Sequence, residues 1–161
     1  VTVHQFEQFQ WHRIAFFSSH RCVGPDITVI ITSPGLKQAM ARHTTSKVLG
    51  INAFTEQAPV LVALVTEPSN FTAKFGEVIQ NKKYHLIDLG IAAEHFCLQA
   101  AEEGIGTCMM GWFAERKISK LLQIPKNKRV ELVITVGYAS SKKIRKKTRK
   151  NIDEIRSFNE Y

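Results

Sequence analysis

Two groups of residues have types and spacings that could do chemistry. The first is Gly104-Ile105-Gly106-Thr107-Cys108-Met109-Met110-Gly111-Trp112-Phe113, three glycines set around a short apolar stretch, directly after a long apolar run. Glycines let a backbone approach a flat ligand closely, and a strand edge there offers N–H donors. The same pattern also suits a helix cap followed by a buried strand with Gly111 as a bulge. The second group runs from Lys142 to Lys150 and packs seven cations into nine positions. Such a run repels itself unless an anion lies close, and phosphate is the obvious one. Elsewhere the chemistry is thin. His85 and the pair Glu94-His95 lack the i, i+4 histidine spacing of a zinc site, so no metal is expected.

The elements that must position these groups belong to a chain of 161 residues, 44% hydrophobic and 22% charged. That composition supports one domain over residues 1–161, with 142–161 as a basic tail. No run of apolar residues is long enough to span a membrane, and the opening "VTVHQFEQFQWHR" lacks the pattern of a signal peptide, so the expected compartment is the cytoplasm. Cys22, Cys97 and Cys108 are odd in number and lack CxxC spacing, which reads as reduced thiols, with Cys97 inert inside an apolar helix. The formal charge of +8 is one-sided: residues 1–115 carry 8 Lys and Arg against 10 Asp and Glu, whereas residues 116–161 carry 14 against 4.

Along the chain, Ile27–Thr32 is β-branched and bounded by prolines, a strand signal. Ser33 and Pro34 suit the cap and first turn of a helix whose Leu36, Ala39 and Met40 share a face. A second helix is expected over Ser46–Gln57 despite Gly50. Ala58–Thr66 is nearly unbroken apolar sequence of strand length, the pattern of a strand covered on both faces. Phe71–Lys83 reads as a loop or short helix. Tyr84–Glu103 is the strongest helix signal, with Ile87, Ile91, His95 or Leu98, and Ala101 or Glu102 at helical spacing; being apolar almost all round, it is expected at the centre of the molecule, ended by Gly104 in a left-handed conformation. A short helix over Ala114–Leu122 and a strand over Val130–Tyr138 follow.

The order of these elements resembles the FMN-dependent nitroreductase family. The resemblance rests on Asp88, Gly90, Ala93, Ala100, Gly104, Gly106, Thr107, Leu121, Ile124, Pro125, Gly137 and Tyr138, and covers about residues 27–150. It implies an α+β, three-layer fold with a central, mainly antiparallel sheet flanked by helices, in a homodimer that binds FMN at its interface. It implies that Cys108, Met109, Met110 and Gly111 present main-chain N–H groups to the flavin ring, and that Lys147 and Arg149 hold the FMN phosphate. NADH or NADPH would be the co-substrate, and flat electron-poor acceptors such as nitroaromatics or quinones the targets. Trp112 and Phe113 read more readily as core than as pocket wall, Phe71, Phe75 and Tyr84 lie in the stretch that would cover the cleft, and Asp88 reads as a helix cap or a cross-dimer contact rather than a base.

The front of the chain, residues 1–26, is atypical for that family. The usual Arg-x-Ser-x-Arg motif would fall upstream of Val1, and where a Pro-Ser-x-x-Asn-x-Gln-Pro-Trp motif belongs the sequence reads "AFFSSHRCVGPD". Arg13 or Arg21 would have to stand in for the missing arginine. Two other readings therefore accompany the enzyme: a nitroreductase-like protein that has lost its flavin, and a module whose basic tail binds nucleic acid. The second is disfavoured by the absence of aromatics within the basic run and by the slightly acidic remainder.

Overall fold

The computed structural model describes residues 27–45, 50–66, 79, 81–141 and 146–160. Its centre is β2 (Val60–Thr66), in which every residue is buried. The apolar run predicted this, since a strand with helices on both faces has no side left for polar residues. β2 pairs antiparallel with β1 (Ile27–Ile31) on one side and with β4 (Arg129–Gly137) on the other, and β4 pairs antiparallel with β3 (Gly106–Met110). The order is β1-β2-β4-β3, which leaves β3 at an edge.

Two cores lie on opposite faces of this sheet. On one face, Val60, Val62, Leu64, Ile134 and Val136 meet Leu89, Ala93, Phe96 and Ala100 of α2 (Tyr84–Glu102). On the other, Leu61, Ala63, Val65, Val130 and Val133 meet Met40 of α1 (Pro34–Thr44) and Ile118 of α3 (Glu115–Leu121). The three layers follow from the period-two alternation of β2 and β4. A register shift helps: Leu64 pairs with Leu132 but Val65 with Val130, so Glu131 is an extra residue in β4. Without that bulge, Val130 would share the face of Leu132 instead of joining the second core.

Three local expectations are corrected. Ser33 sits at the start of α1 but makes no side-chain capping bond; Pro34, which has no N–H to satisfy, opens the helix instead. Residues 50–57 are not α-helix: Gly50 and Asn52 both take positive φ, 63° and 60°, and a 3₁₀ turn follows over Ala53–Gln57. Residues 46–49 lie outside the described ones. The third correction concerns α2. The stripe at Ile87, Ile91 and Leu98 is 53%, 51% and 59% exposed in the single chain, while Leu89, Ala93, Phe96 and Ala100 on the opposite side are buried. The helix thus lies on one face of the sheet with a second apolar face left open. Among the described residues no helix is long and apolar enough to cross a membrane.

Candidate functional site

The end of α2 delivers the chain to the sheet edge. Gly104 takes φ 72°, as the sequence predicts, and two bonds close the helix: Gly104 N–H donates to Ala101 O at 3.0 Å and Ile105 N–H to Ala100 O at 2.8 Å. Their spacing is that of a Schellman motif, and Ile105 completes it by burying itself beside Ala100 and Phe96. The turn fixes where β3 starts. Its first residue, Gly106, lies opposite Gly137 of β4. A Cβ on Gly137 would come within 2.6 Å of Pro59 Cδ, so only glycine lets the strand end and Pro59 approach this closely.

β3 has β4 on one side and no strand among the described residues on the other. An edge strand turns alternate N–H and C=O groups outward. Most of β3 is correspondingly exposed, so the expectation of a buried strand at this point does not hold. Just beyond it, a Cβ on Gly111 would meet nothing within 4 Å. The chain therefore ends β3 with outward main-chain groups beside open space.

The loop that follows is tied down at several points. Ala114 N–H donates to His43 O at 2.8 Å, and Asn52 Nδ2 donates to Trp112 O at 3.0 Å and to Thr44 O at 3.2 Å. Thr55 Oγ1 donates to Asn52 O at 2.6 Å and lies 3.4 Å from Met110 Sδ. Asn52 was not singled out in the sequence, although asparagine two residues after a glycine is a turn signal.

Of the residues predicted to face a flavin, Cys108, Met109, Met110 and Gly111 are consecutive along the edge and its exit, as four neighbours must be. Their side chains diverge. Cys108 and Met109 are exposed, while Met110 is buried in the core between sheet, α1 and α3, so its contribution to a ligand is confined to its backbone. Trp112, expected as core, is 65% exposed, because its residue follows an edge strand; Phe113 packs against the core as expected. Lys147 and Arg149 lie exposed in irregular backbone that precedes a short 3₁₀ turn (Ile152–Glu154), and neither side chain bonds another described residue. Arg13, Arg21, Cys22, Phe71 and Phe75 fall outside the described residues. Tyr84 opens α2, and Asp88 is exposed in the second turn rather than capping it.

A groove of about 320 Å³ opens at the other end of β3, lined by Phe54, Gln57, Pro59, Gly106, Cys108 and Tyr138 among others. Neither Phe54 nor Gln57 carries a sequence signal for a groove; the 3₁₀ turn over Ala53–Gln57 places them there. Cys97 faces the opposite core; its thiol is pushed above its ordinary value near 9.0 chiefly by burial, which favours the protonated form.

A three-layer fold around an antiparallel sheet, with β3 at its edge, is what this chain brings to a comparison with known proteins. The sequence profile of the nitroreductase family matches residues 26–138, and the chain belongs to that family. Among solved structures, a nitroreductase family protein from Clostridium novyi NT is 28% identical, with a TM-score of 0.63 over 83% of this chain and 75% of its own. An FMN-dependent nitroreductase from Clostridium difficile R20291 is 17% identical, with a TM-score of 0.69 over 96% and 88%. A nitroreductase family protein from Streptococcus pneumoniae TIGR4 is 21% identical, with a TM-score of 0.65 over 84% and 79%. The last two likenesses speak to the fold alone. No curated protein matches the chain.

A Cβ on Gly111 would meet nothing within 4 Å, and β3 pairs with no second strand among the described residues; an open edge of this kind is compatible with a flat ring held by main-chain donors.

Proposed function

We propose that the chain is a single-domain, flavin-dependent NAD(P)H oxidoreductase that works as a homodimer and reduces flat, electron-poor acceptors such as nitroaromatics or quinones. The observation that carries this reading is the conjunction of an edge strand with an unobstructed glycine at its exit. When bound, FMN supplies the two-electron chemistry, accepting hydride from NADH or NADPH and giving it up to the acceptor.

The chain's own residues hold and orient. Those main-chain N–H groups between Cys108 and Gly111 that face away from β4 would donate to a bound ring, and such fixed donors favour the form of the ring that carries more negative charge. Lys147 and Arg149 pair with the phosphate, which offsets the repulsion within the basic run. Trp112, exposed beside the loop, forms a wall that keeps water from one side of the cleft. The hydride chemistry requires no general acid from the chain.

The apolar stripe of Ile87, Ile91 and Leu98 supports self-association, since an exposed row of large aliphatic residues on a long helix is an ordinary dimer surface. Unpaired Cys97 and Cys108 support a reducing compartment, the cytoplasm.

The test is an absorbance spectrum of the purified protein before and after adding FMN, followed by anaerobic NADH or NADPH. The reading expects a yellow protein that bleaches with the nicotinamide and recovers its colour with a quinone. A colourless protein that retains no added FMN would show that the fold has lost its flavin, and steep salt-dependent retention on heparin would favour the nucleic-acid module.

A further inference from the structure

Asn52 occupies a position that no catalytic reading of the sequence requires, yet it joins three segments that meet at the exit of β3. Its two Nδ2 hydrogens are both committed, one to Thr44 O at the end of α1 and one to Trp112 O in the loop. Its carbonyl accepts Thr55 N–H at 3.0 Å and Thr55 Oγ1 at 2.6 Å, with Thr45 Oγ1 at 3.3 Å. The residue also adopts φ 60°, a region where asparagine is among the few side-chain-bearing residues accommodated at low cost. The left-handed backbone aims the carboxamide at the two carbonyls, and the carboxamide then spans a gap that the backbone leaves open.

We infer that Asn52 is the positioning residue of the site: by fastening Trp112 O to the end of α1, it fixes the direction in which the main-chain N–H groups of Met110 and Gly111 point. This deepens the flavin reading and rests on it for the ligand. Among the described residues, the other backbone anchor of this loop to α1 is the Ala114 N–H bond to His43 O. With the carboxamide gone, the segment between Met110 and Ala114 loses its link through Asn52 and keeps the Ala114 bond and the packing of Phe113 against the core. At the opposite end of β3, Gly104 and Ile105 are held by their own bonds to Ala101 and Ala100 and share no partner with Asn52. The consequence is therefore local to one end of the strand.

The experiment compares wild type with Asn52→Gly, which keeps the left-handed backbone and removes the carboxamide, and with Asn52→Asp, which keeps size and turns two donors into acceptors facing two carbonyls. Amide hydrogen exchange is followed on protein stripped of FMN. The Ala114 amide should exchange about tenfold faster in Asn52→Gly, the equivalent of ~1.4 kcal/mol, while Gly104 and Ile105 keep their wild-type rates. Equal acceleration at both ends, or none at Ala114, overturns the inference. FMN is then titrated into each protein and its two-electron potential measured. Wild type should bind, and Asn52→Gly should bind about tenfold more weakly, with a more negative potential because its N–H donors no longer favour the reduced ring. Unchanged affinity and potential in Asn52→Gly overturn the inference even if exchange rises. Failure of wild type to bind FMN overturns the flavin reading instead, and the exchange result then upholds the fastening alone. Should Asn52→Asp not fold, Asn52→Gly carries every arm.

Discussion

β2 and β3 flank the same neighbour, β4, and are built to opposite ends. In β2 all seven residues are buried and serve both cores. In β3, two of five residues are glycine or threonine, most of the strand is exposed, and Met110 alone is buried. The contrast shows a division of labour within one sheet. The central strand has no freedom to vary without disturbing two helical layers, whereas the edge strand contributes little packing and can be shaped around a ligand.

The largest expected effect belongs to the central strand. Leu61 is fully buried between the sheet and α1 and α3, so Leu61→Ala should lower stability by about 2–5 kcal/mol in urea denaturation. A loss below ~1 kcal/mol would mean that the two strands do not differ as described. Next comes the pair of cations. Replacing Lys147 and Arg149 together by alanine should leave the melting temperature unchanged, since both are exposed, but weaken FMN binding by about 1.5–3 kcal/mol in calorimetric titration. An unaltered affinity would put the phosphate elsewhere.

The smallest effect concerns the loop leading from the edge strand into α3. Glu115 accepts from Arg129 at 2.8 Å and 3.1 Å, and this bond holds its carboxyl below the ordinary value near 4.5. A carboxylate depressed in the folded state adds stability that is fully present above that ordinary value and is lost as pH falls through the folded one. Both partners are substantially exposed, so Glu115→Gln should cost less than ~1 kcal/mol at neutral pH, with the difference from wild type vanishing in acid. A larger difference at low pH than at neutral pH would reverse the assignment.

The sequence disclosed these two strands unequally. β2 was legible because a nearly unbroken apolar run of that length has few other uses, and the end of α2 was legible because Gly104 and the apolar Ile105 spell out its cap. The orientation of α2 was not, because Ile87, Ile91 and Leu98 are as apolar as Leu89, Ala93 and Phe96; contact with β2 and β4, distant in sequence, decides which side is covered. The turn at Gly50–Asn52 was hidden beneath acceptable helix formers on either side, although its two positive φ angles determine where Asn52 reaches. The main-chain edge at Cys108–Gly111 was placed through the family resemblance rather than through spacing alone. Trp112 reads as core in the sequence for a related reason: β3 is apolar by composition, and the strand order decides between a buried strand and an edge.

The most direct test of the account is an FMN titration, read by flavin fluorescence, of wild type beside Gly111→Val. Gly111 has no positive φ and a Cβ added there would meet nothing within 4 Å, so the variant should fold. The account predicts stoichiometric uptake by wild type and none by Gly111→Val, because the valine occupies the space the ring would take. Equal loading of both proteins would contradict it.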